Sequence, residues 1–201
     1  TKTIFLADDD DLYGQELWVT DGTEAGTTLL KDIRVGTLGT FIPSFAIADG
    51  TLYFGAYDDV SGTELWKTDG TPAGTVMVKD IKPGVNGNGV SDLVTMGSTV
   101  FFSANDGTAG YELWTTDGTA AGTVMVAEIA PGAASSGISE MVSVDGMLYF
   151  NATDGSNGYE LWKSDGTAAG TELVKDIAVG TPSSSPNNLV AMGGNIYFIA
   201  A

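Results

Sequence analysis

The chain has 201 residues, 43% of them hydrophobic, which suffices for a buried repeat domain and argues against disorder. It contains no cysteine and no histidine, so disulfides, thiolate metal sites and every nucleophile–histidine mechanism are excluded. Its net charge of -18, from 26 acidic and 8 basic residues, repels phosphate backbones and anionic membranes, so neither nucleic-acid binding nor membrane insertion is expected.

In chain order, the first predicted element is a strand at Ile4-Phe5-Leu6. An acidic loop follows, Asp8-Asp9-Asp10-Asp11-Leu12-Tyr13-Gly14, and then Glu16-Leu17-Trp18. Next come Asp21-Gly22-Thr23, Ala25-Gly26-Thr27, Lys31-Asp32-Ile33 and the single arginine, Arg34. From there the sequence repeats. Glu-Leu-Trp returns at residues 64, 112 and 160, always at an offset of 48. Asp21-Gly22-Thr23 returns at Asp69, Asp117 and Asp165, and Ala25-Gly26-Thr27 at Ala73, Ala121 and Ala169. The third copy of Lys-Asp-Ile departs, reading Ala127-Glu128-Ile129. Repeats of this length mark solenoids or propellers. The expected domain is a single one, 1–201, with units near 1–43, 44–91, 92–139, 140–187 and a partial unit 188–201.

The second unit shows four predicted strands most plainly. Strand a is Ser44-Phe45-Ala46-Ile47-Ala48, and strand b is Thr51-Leu52-Tyr53-Phe54-Gly55-Ala56. Strand c is Thr63-Glu64-Leu65-Trp66-Lys67-Thr68, and strand d runs from Thr75 to Ile81. Asp-Gly pairs between short apolar runs signal hairpins, so a–b, b–c and c–d are predicted antiparallel neighbours. Strand b carries adjacent aromatics, which suits a strand covered on both faces. Strand d carries Lys and Asp, which suits an outer edge, with a and b inside. The fold class expected is all-β: a β-propeller of four-stranded antiparallel blades, about four of them here. Strand b occurs five times, because Ile196-Tyr197-Phe198 repeats Ile4-Phe5-Leu6. The chain is therefore expected either to come from a longer array, or to close with one copy of b frayed or exchanged between molecules. Thr1 in place of methionine likewise reads as a mature or excised fragment.

The string Gly-Tyr-Glu-Leu-Trp-Lys-Ser-Asp-Gly-Thr-Ala-Ala-Gly-Thr, residues 158–171, resembles the ELWxxDGT repeat of large secreted bacterial proteins. The resemblance covers nearly the whole chain. It implies an extracellular or cell-surface bacterial origin and a propeller-like fold, and it brings no catalytic residues with it.

Most repeated residues have a structural reading. Trp18, Trp66, Trp114 and Trp162 are expected to pack between sheets, with each neighbouring Glu pairing with a lysine or capping a loop. Asp21, Asp69, Asp117 and Asp165 are expected to cap turns, with the following Gly supplying a positive φ. The b-to-c loops are where a cation would bind. Calcium takes six to eight oxygens, and its candidate ligands are Asp9, Asp11, Asp58, Asp106 and Asp154. Candidate ligand-binding residues are Asp8, Asp9, Asp10, Asp11, Tyr13 and Arg34, with Asn86–Asn88 beside them, because these positions depart from the repeat. No residue is named as catalytic. The leading expectation is a non-catalytic extracellular module for binding, adhesion or spacing, with a glycan or a surface protein as partner. The alternatives are a carboxylate-dependent carbohydrate-active enzyme and a structural subunit that self-associates through its terminal strands.

Overall fold

The computed structural model describes residues 2–9, 12–85 and 89–201. Asp10, Asp11 and Asn86–Asn88 lie outside the described residues. The chain forms two compact units, Thr1–Val90 and Ser91–Ala201. Every regular element among the described residues is a β-strand.

In the first unit, β1 (Thr3–Asp8), β2 (Gln15–Thr20) and β3 (Thr28–Lys31) form a three-stranded sheet in that order. A four-stranded sheet follows, of β4 (Phe45–Ala48), β5 (Thr51–Asp58), β6 (Gly62–Thr68) and β7 (Val76–Lys79). In the second unit, β8 (Val90–Met96), β9 (Thr99–Asn105), β10 (Tyr111–Thr116) and β11 (Val124–Ala127) form the third sheet. The fourth is β12 (Ser139–Val144), β13 (Met147–Ala152), β14 (Glu160–Ser164) and β15 (Glu172–Lys175). A two-stranded sheet of β16 (Asn187–Met192) and β17 (Asn195–Ile199) ends the chain.

Every neighbouring pair is antiparallel, as the hairpin signals required. Strand d is an edge, as its charges suggested. Strand a is the opposite edge, and b and c fill the middle. Strand b runs two residues further than its sequence pattern indicated, through Tyr57 and Asp58, which shortens the loop before β6. Strand d is shorter, ending at Lys79, so Asp80 and Ile81 leave the ladder; Asp80 stays exposed and Ile81 turns into the core.

Each c–d pair slips register at the same place, between the Leu and the Trp of Glu-Leu-Trp. The slip adds twist and lets Leu30, on the partner strand, bury almost completely at 1% exposure. Strand a bends too. Its residues Asp92, Glu140 and Asn188, spaced 48 apart, all have φ between 53° and 59°. The last two mark register shifts against strand b.

The core lies between sheets. In the first unit Leu17, Val19 and Leu30 of the first sheet, with Ile33 just after it, meet Phe54, Ala56 and Trp66 of the second. In the second unit Phe101, Leu113, Val126 and Ile129 meet Leu148, Phe150, Ala152 and Trp162. Trp66 and Trp162 therefore pack between consecutive sheets. Burying such side chains supplies roughly 1.5–3 kcal/mol each.

Candidate functional site

The repeated residues form the frame. Asp21 accepts hydrogen bonds on Oδ1 from the Thr23 N–H (2.9 Å) and from the Thr23 hydroxyl (2.7 Å). The Thr23 hydroxyl accepts the Gly26 N–H (3.0 Å), and Thr27 returns its own hydroxyl to the Thr23 carbonyl (2.7 Å). The same network recurs at Asp69, Asp117 and Asp165. These bonds favour the ionised carboxylate, and Asp21, Asp69 and Asp165 titrate below the ordinary carboxylate value. Gly22 supplies the expected positive φ of 93°. Gly26 is needed for a different reason, because a Cβ there would lie 2.0 Å from Asp21 Oδ1.

The glutamates of Glu-Leu-Trp are fully buried in every copy. Each caps the segment that leaves strand d. Glu64 accepts the N–H groups of Ile81 (2.6 Å) and Lys82 (3.2 Å). Glu112 serves Ile129 and Ala130 in the same way. Loop capping is thus the role these acids fill. Burial pushes Glu16 and Glu64 up to about 7 and Glu112 to about 6, against the hydrogen bonds. At Glu160 burial also raises the pKa, but bonds from the Ser184 hydroxyl and the N–H groups of Ser184, Ile177 and Ala178 outweigh it, and the value falls. A pKa near 7 suits a general acid. These carboxyls, however, are sealed from solvent and already occupied by backbone.

Lys31 reaches across to the second sheet. Its Nζ donates to the Thr75 carbonyl (2.9 Å) and lies 5.7 Å from the centre of the Trp66 ring.

The residues that depart from the repeat gather elsewhere. Antiparallel order places the b–c loops and the d–a segments at one end of each sheet, and the Asp-Gly turns at the other. In the first unit, the loop after β1 and the segment after β3 come together at that end. Gly14 approaches Gly39 so closely that a Cβ would lie 2.5 Å from the Gly39 N. The Thr40 N–H donates to the Gln15 carbonyl (2.8 Å). The Thr40 hydroxyl donates to the Tyr57 carbonyl (2.9 Å) and accepts the Tyr57 N–H (3.0 Å).

Arg34 is held at the centre of this end. Its N–H donates to Glu16 Oε1 (2.9 Å). Its guanidinium stacks 4.8 Å from the Tyr57 ring centre and pairs with Asp59 through Nη2 (3.1 Å) and Nε (3.1 Å). Nη1 donates to the Gly39 carbonyl (3.4 Å). Exposed apolar side chains come from the same loops: Leu12, Val35, Leu38, Phe41 and Val60, all more than 60% exposed. Large apolar groups exposed together are unusual on a protein surface and mark interaction sites.

Among the sequence-predicted residues, Arg34 and Tyr13 are on these loops. Asp8 ends β1 and is exposed. Asp9 caps the turn, its Oδ1 accepting the N–H groups of Leu12 (3.2 Å) and Tyr13 (2.9 Å). Asp58, Asp106 and Asp154 likewise each place Oδ1 against two N–H groups of their own loops. For Asp106 and Asp154 these bonds outweigh a raising effect of burial, and the pKa falls. Among the described residues, no three acidic side chains converge as a metal cluster. Sequence reasoning missed Val35, Leu38, Phe41, Tyr57, Asp59 and Val60. The signal was available: 48 residues after Phe41 stands Gly89, and 96 after it Gly137.

No family model matches the chain, and no curated protein matches it. Several solved structures are similar in fold. A puromycin hydrolase S511A mutant complexed with PGG has a TM-score of 0.55 and 16% identity over 98% of this chain, covering 31% of that protein. Puromycin hydrolase without the mutation gives 0.52 and 17% over the same shares. A structure from a study of two prolyl endopeptidases gives 0.57 and 14%, over 98% of this chain and 29% of that one. The chain therefore spans less than a third of these proteins. At such identities the likeness concerns the arrangement of antiparallel sheets alone.

Proposed function

We propose that this chain is a non-catalytic, extracellular binding module of the propeller type, which holds its ligand at the loop end of the first unit around Arg34. The propeller reading is supported by consecutive four-stranded antiparallel sheets at a 48-residue spacing and by the likeness in fold. The secreted bacterial origin rests on the resemblance to ELWxxDGT repeats.

One observation carries the binding reading. Residues shared by all units are spent on turns, caps and the core, whereas those that break the repeat are exposed together on adjoining loops. The combination of Arg34, Tyr13, Leu12, Leu38 and Phe41 suits a surface protein first. Aromatic and arginine anchors dominate such contacts. A glycan is the second ligand class, because Tyr13 can stack on a sugar face.

The test is a binding screen of the intact chain against a glycan array and against bacterial and host surface proteins, with and without calcium. Binding lost in Leu38→Asp/Phe41→Asp, with thermal stability unchanged, supports the proposal. Binding retained in that variant and lost on changing loops elsewhere would move the site. A calcium titration addresses Asp8, Asp9 and the adjoining acids directly, by a rise in melting temperature.

A further inference from the structure

At the loop end, exposure belongs to the repeat position, whereas apolar character belongs to the first unit. Leu12 and Val60 hold one repeat position, which is filled by Thr108 and Ser156 in the second unit. All four are exposed, whichever sheet they follow. Leu38 gives way to Ala134 and Pro182, which are also exposed, and Phe41 gives way to Gly137 and Ser185. At the position of Val35 the second unit keeps an apolar side chain, Val179. The large side chains of Leu12, Leu38, Phe41 and Val60 are therefore additions to the repeat, placed where folding does not bury them. Apolar groups gathered on a surface mark a contact with another molecule.

The charges of the same loops depart from the repeat as well. Asp58, Asp106 and Asp154 share one position and cap their own loops in both units. Asp8, Asp9 and Asp59 have no acidic counterpart in the second unit. Asp8 corresponds to Ala104 and Ala152, Asp9 to Asn105 and Thr153, and Asp59 to Gly107 and Gly155. Arg34 answers Asp59 at 3.1 Å and stacks on Tyr57, so its charge is engaged within the protein. Lys82 is the other base on the loop-end segments of the first unit. Against it stand Asp8, Asp9, Asp32, Asp58 and Asp80. The apolar patch is thus set among carboxylates.

We propose that this patch docks a basic amphipathic segment of a partner protein. The segment's apolar side chains cover Leu12, Leu38, Phe41 and Val60, and its lysines or arginines meet the acidic loops around them. This rests on the reading of the loop end as the binding surface and adds the class of partner. An apolar centre with a charged rim is the composition of a protein contact, and opposite charge on the two rims steers and orients the encounter. A second copy of this chain is a poor occupant, because two chains of net charge -18 bring like charges together. Anionic polymers and anionic lipid surfaces are repelled for the same reason. A neutral glycan would cover the patch and leave the added acids without a part in binding.

Fluorescence anisotropy of the intact chain with labelled helical peptides of about 18 residues, some five turns, tests it. The first peptide carries leucine and phenylalanine on one face and lysine on the other. The second has glutamate in place of lysine, and the third has serine in place of the apolar residues. The first should bind at least about tenfold more tightly than either of the others. Its affinity should fall several-fold between about 50 mM and about 500 mM salt, as the charges are screened. Leu38→Ser/Phe41→Ser leaves the charge unchanged and should weaken it at least about tenfold. Asp8→Asn/Asp58→Asn should weaken it about threefold or more, and asparagine keeps the oxygen that accepts the Val60 and Ser61 N–H groups at position 58. Glu24→Gln/Asp49→Asn removes the same charge at the Asp-Gly end of the sheets, from exposed side chains, and should change the affinity less than about twofold. Melting temperatures within a few degrees of wild type show that each variant is folded.

A lysine peptide that does not bind, or binds no better than its glutamate counterpart, overturns the proposal. So does binding indifferent to Leu38→Ser/Phe41→Ser, or weakened as much by Glu24→Gln/Asp49→Asn as by Asp8→Asn/Asp58→Asn. The two levels of the reading separate in the binding screen. A surface protein or glycan whose binding is lost with Leu38 and Phe41, yet is indifferent to salt and to Asp8→Asn/Asp58→Asn, keeps the loop end as the binding surface and removes the basic partner alone.

Discussion

The junction between the first two sheets and that between the third and fourth are built from the same residue types, yet they pack differently. In both, a tryptophan of the later sheet presses on leucine, valine and isoleucine of the earlier one. In the second unit the earlier sheet has its strand a, and Met96 closes the junction against Gly166. Among the described residues the first sheet has no strand a, and an apolar cavity lies against β1 and the second sheet. A second difference lies on strand b, whose phenylalanines Phe54 and Phe150 pack against the sheet before their own. Phe102 is completely buried, whereas Leu6, at the same repeat position, is 40% exposed. Burial in a repeat protein belongs to the neighbour as much as to the residue, because a single unit cannot cover both faces of its own sheet.

The largest test of this comparison sets Phe150→Ala against Leu6→Ala. Phe150 is fully enclosed, so its truncation should cost about 3–5 kcal/mol. Leu6→Ala, on the open sheet, should cost under about 1 kcal/mol. Urea unfolding followed by tryptophan fluorescence reads both, and equal losses would break the comparison. Met96→Ala imitates the first unit's cavity inside the second. It should destabilise the second unit by about 2 kcal/mol, visible as earlier loss of hydrogen-exchange protection in β9 and β14.

Gly122→Ala addresses a device that both units share. A Cβ would meet Asp117 Oδ1 at 2.1 Å, so the turn must open, at about 1–3 kcal/mol. The double variant Asp117→Ala/Gly122→Ala should recover part of that loss in a thermal melt, because the clashing carboxylate is gone.

The smallest effect is one of pH. Glu64 has its folded pKa raised to about 7 by burial, above its unfolded value. Its contribution is therefore fully present below pH 4.5 and is lost as pH rises towards 7. Glu160 behaves in the opposite sense, contributing above the unfolded value and losing that contribution as pH falls through its lowered folded pKa. Glu64→Gln should flatten the decline in stability between about pH 4.5 and 7, measured by melting temperature across that range. Glu160→Gln should leave that window unchanged.

Much of the fold was legible from residue order. Asp49-Gly50 and Asp145-Gly146 read as hairpin turns, and both dipeptides adopt the two positive φ values that such turns need. The charges of strand d announced an edge. The bends of strand a gave no such signal, since Asp92 and Glu140 adopt positive φ without being glycine. The candidate site was half legible. Arg34 stood out as the lone arginine, but Phe41 and Val60 look like ordinary core residues until their loops are seen to leave them outside.

The sequence by itself determined the repeat, the four strands of each unit and the turns between them. These depend on local backbone preference and on an alternation of side chains that the 48-residue spacing copies faithfully. Only the tertiary structure decided that the buried glutamates cap departing loops, that Gly26 yields space to a carboxylate, and that Phe41 and Val60 stay outside the core. Each of these depends on which atoms distant parts of the chain bring to within a few ångströms, and no spacing along the chain records that.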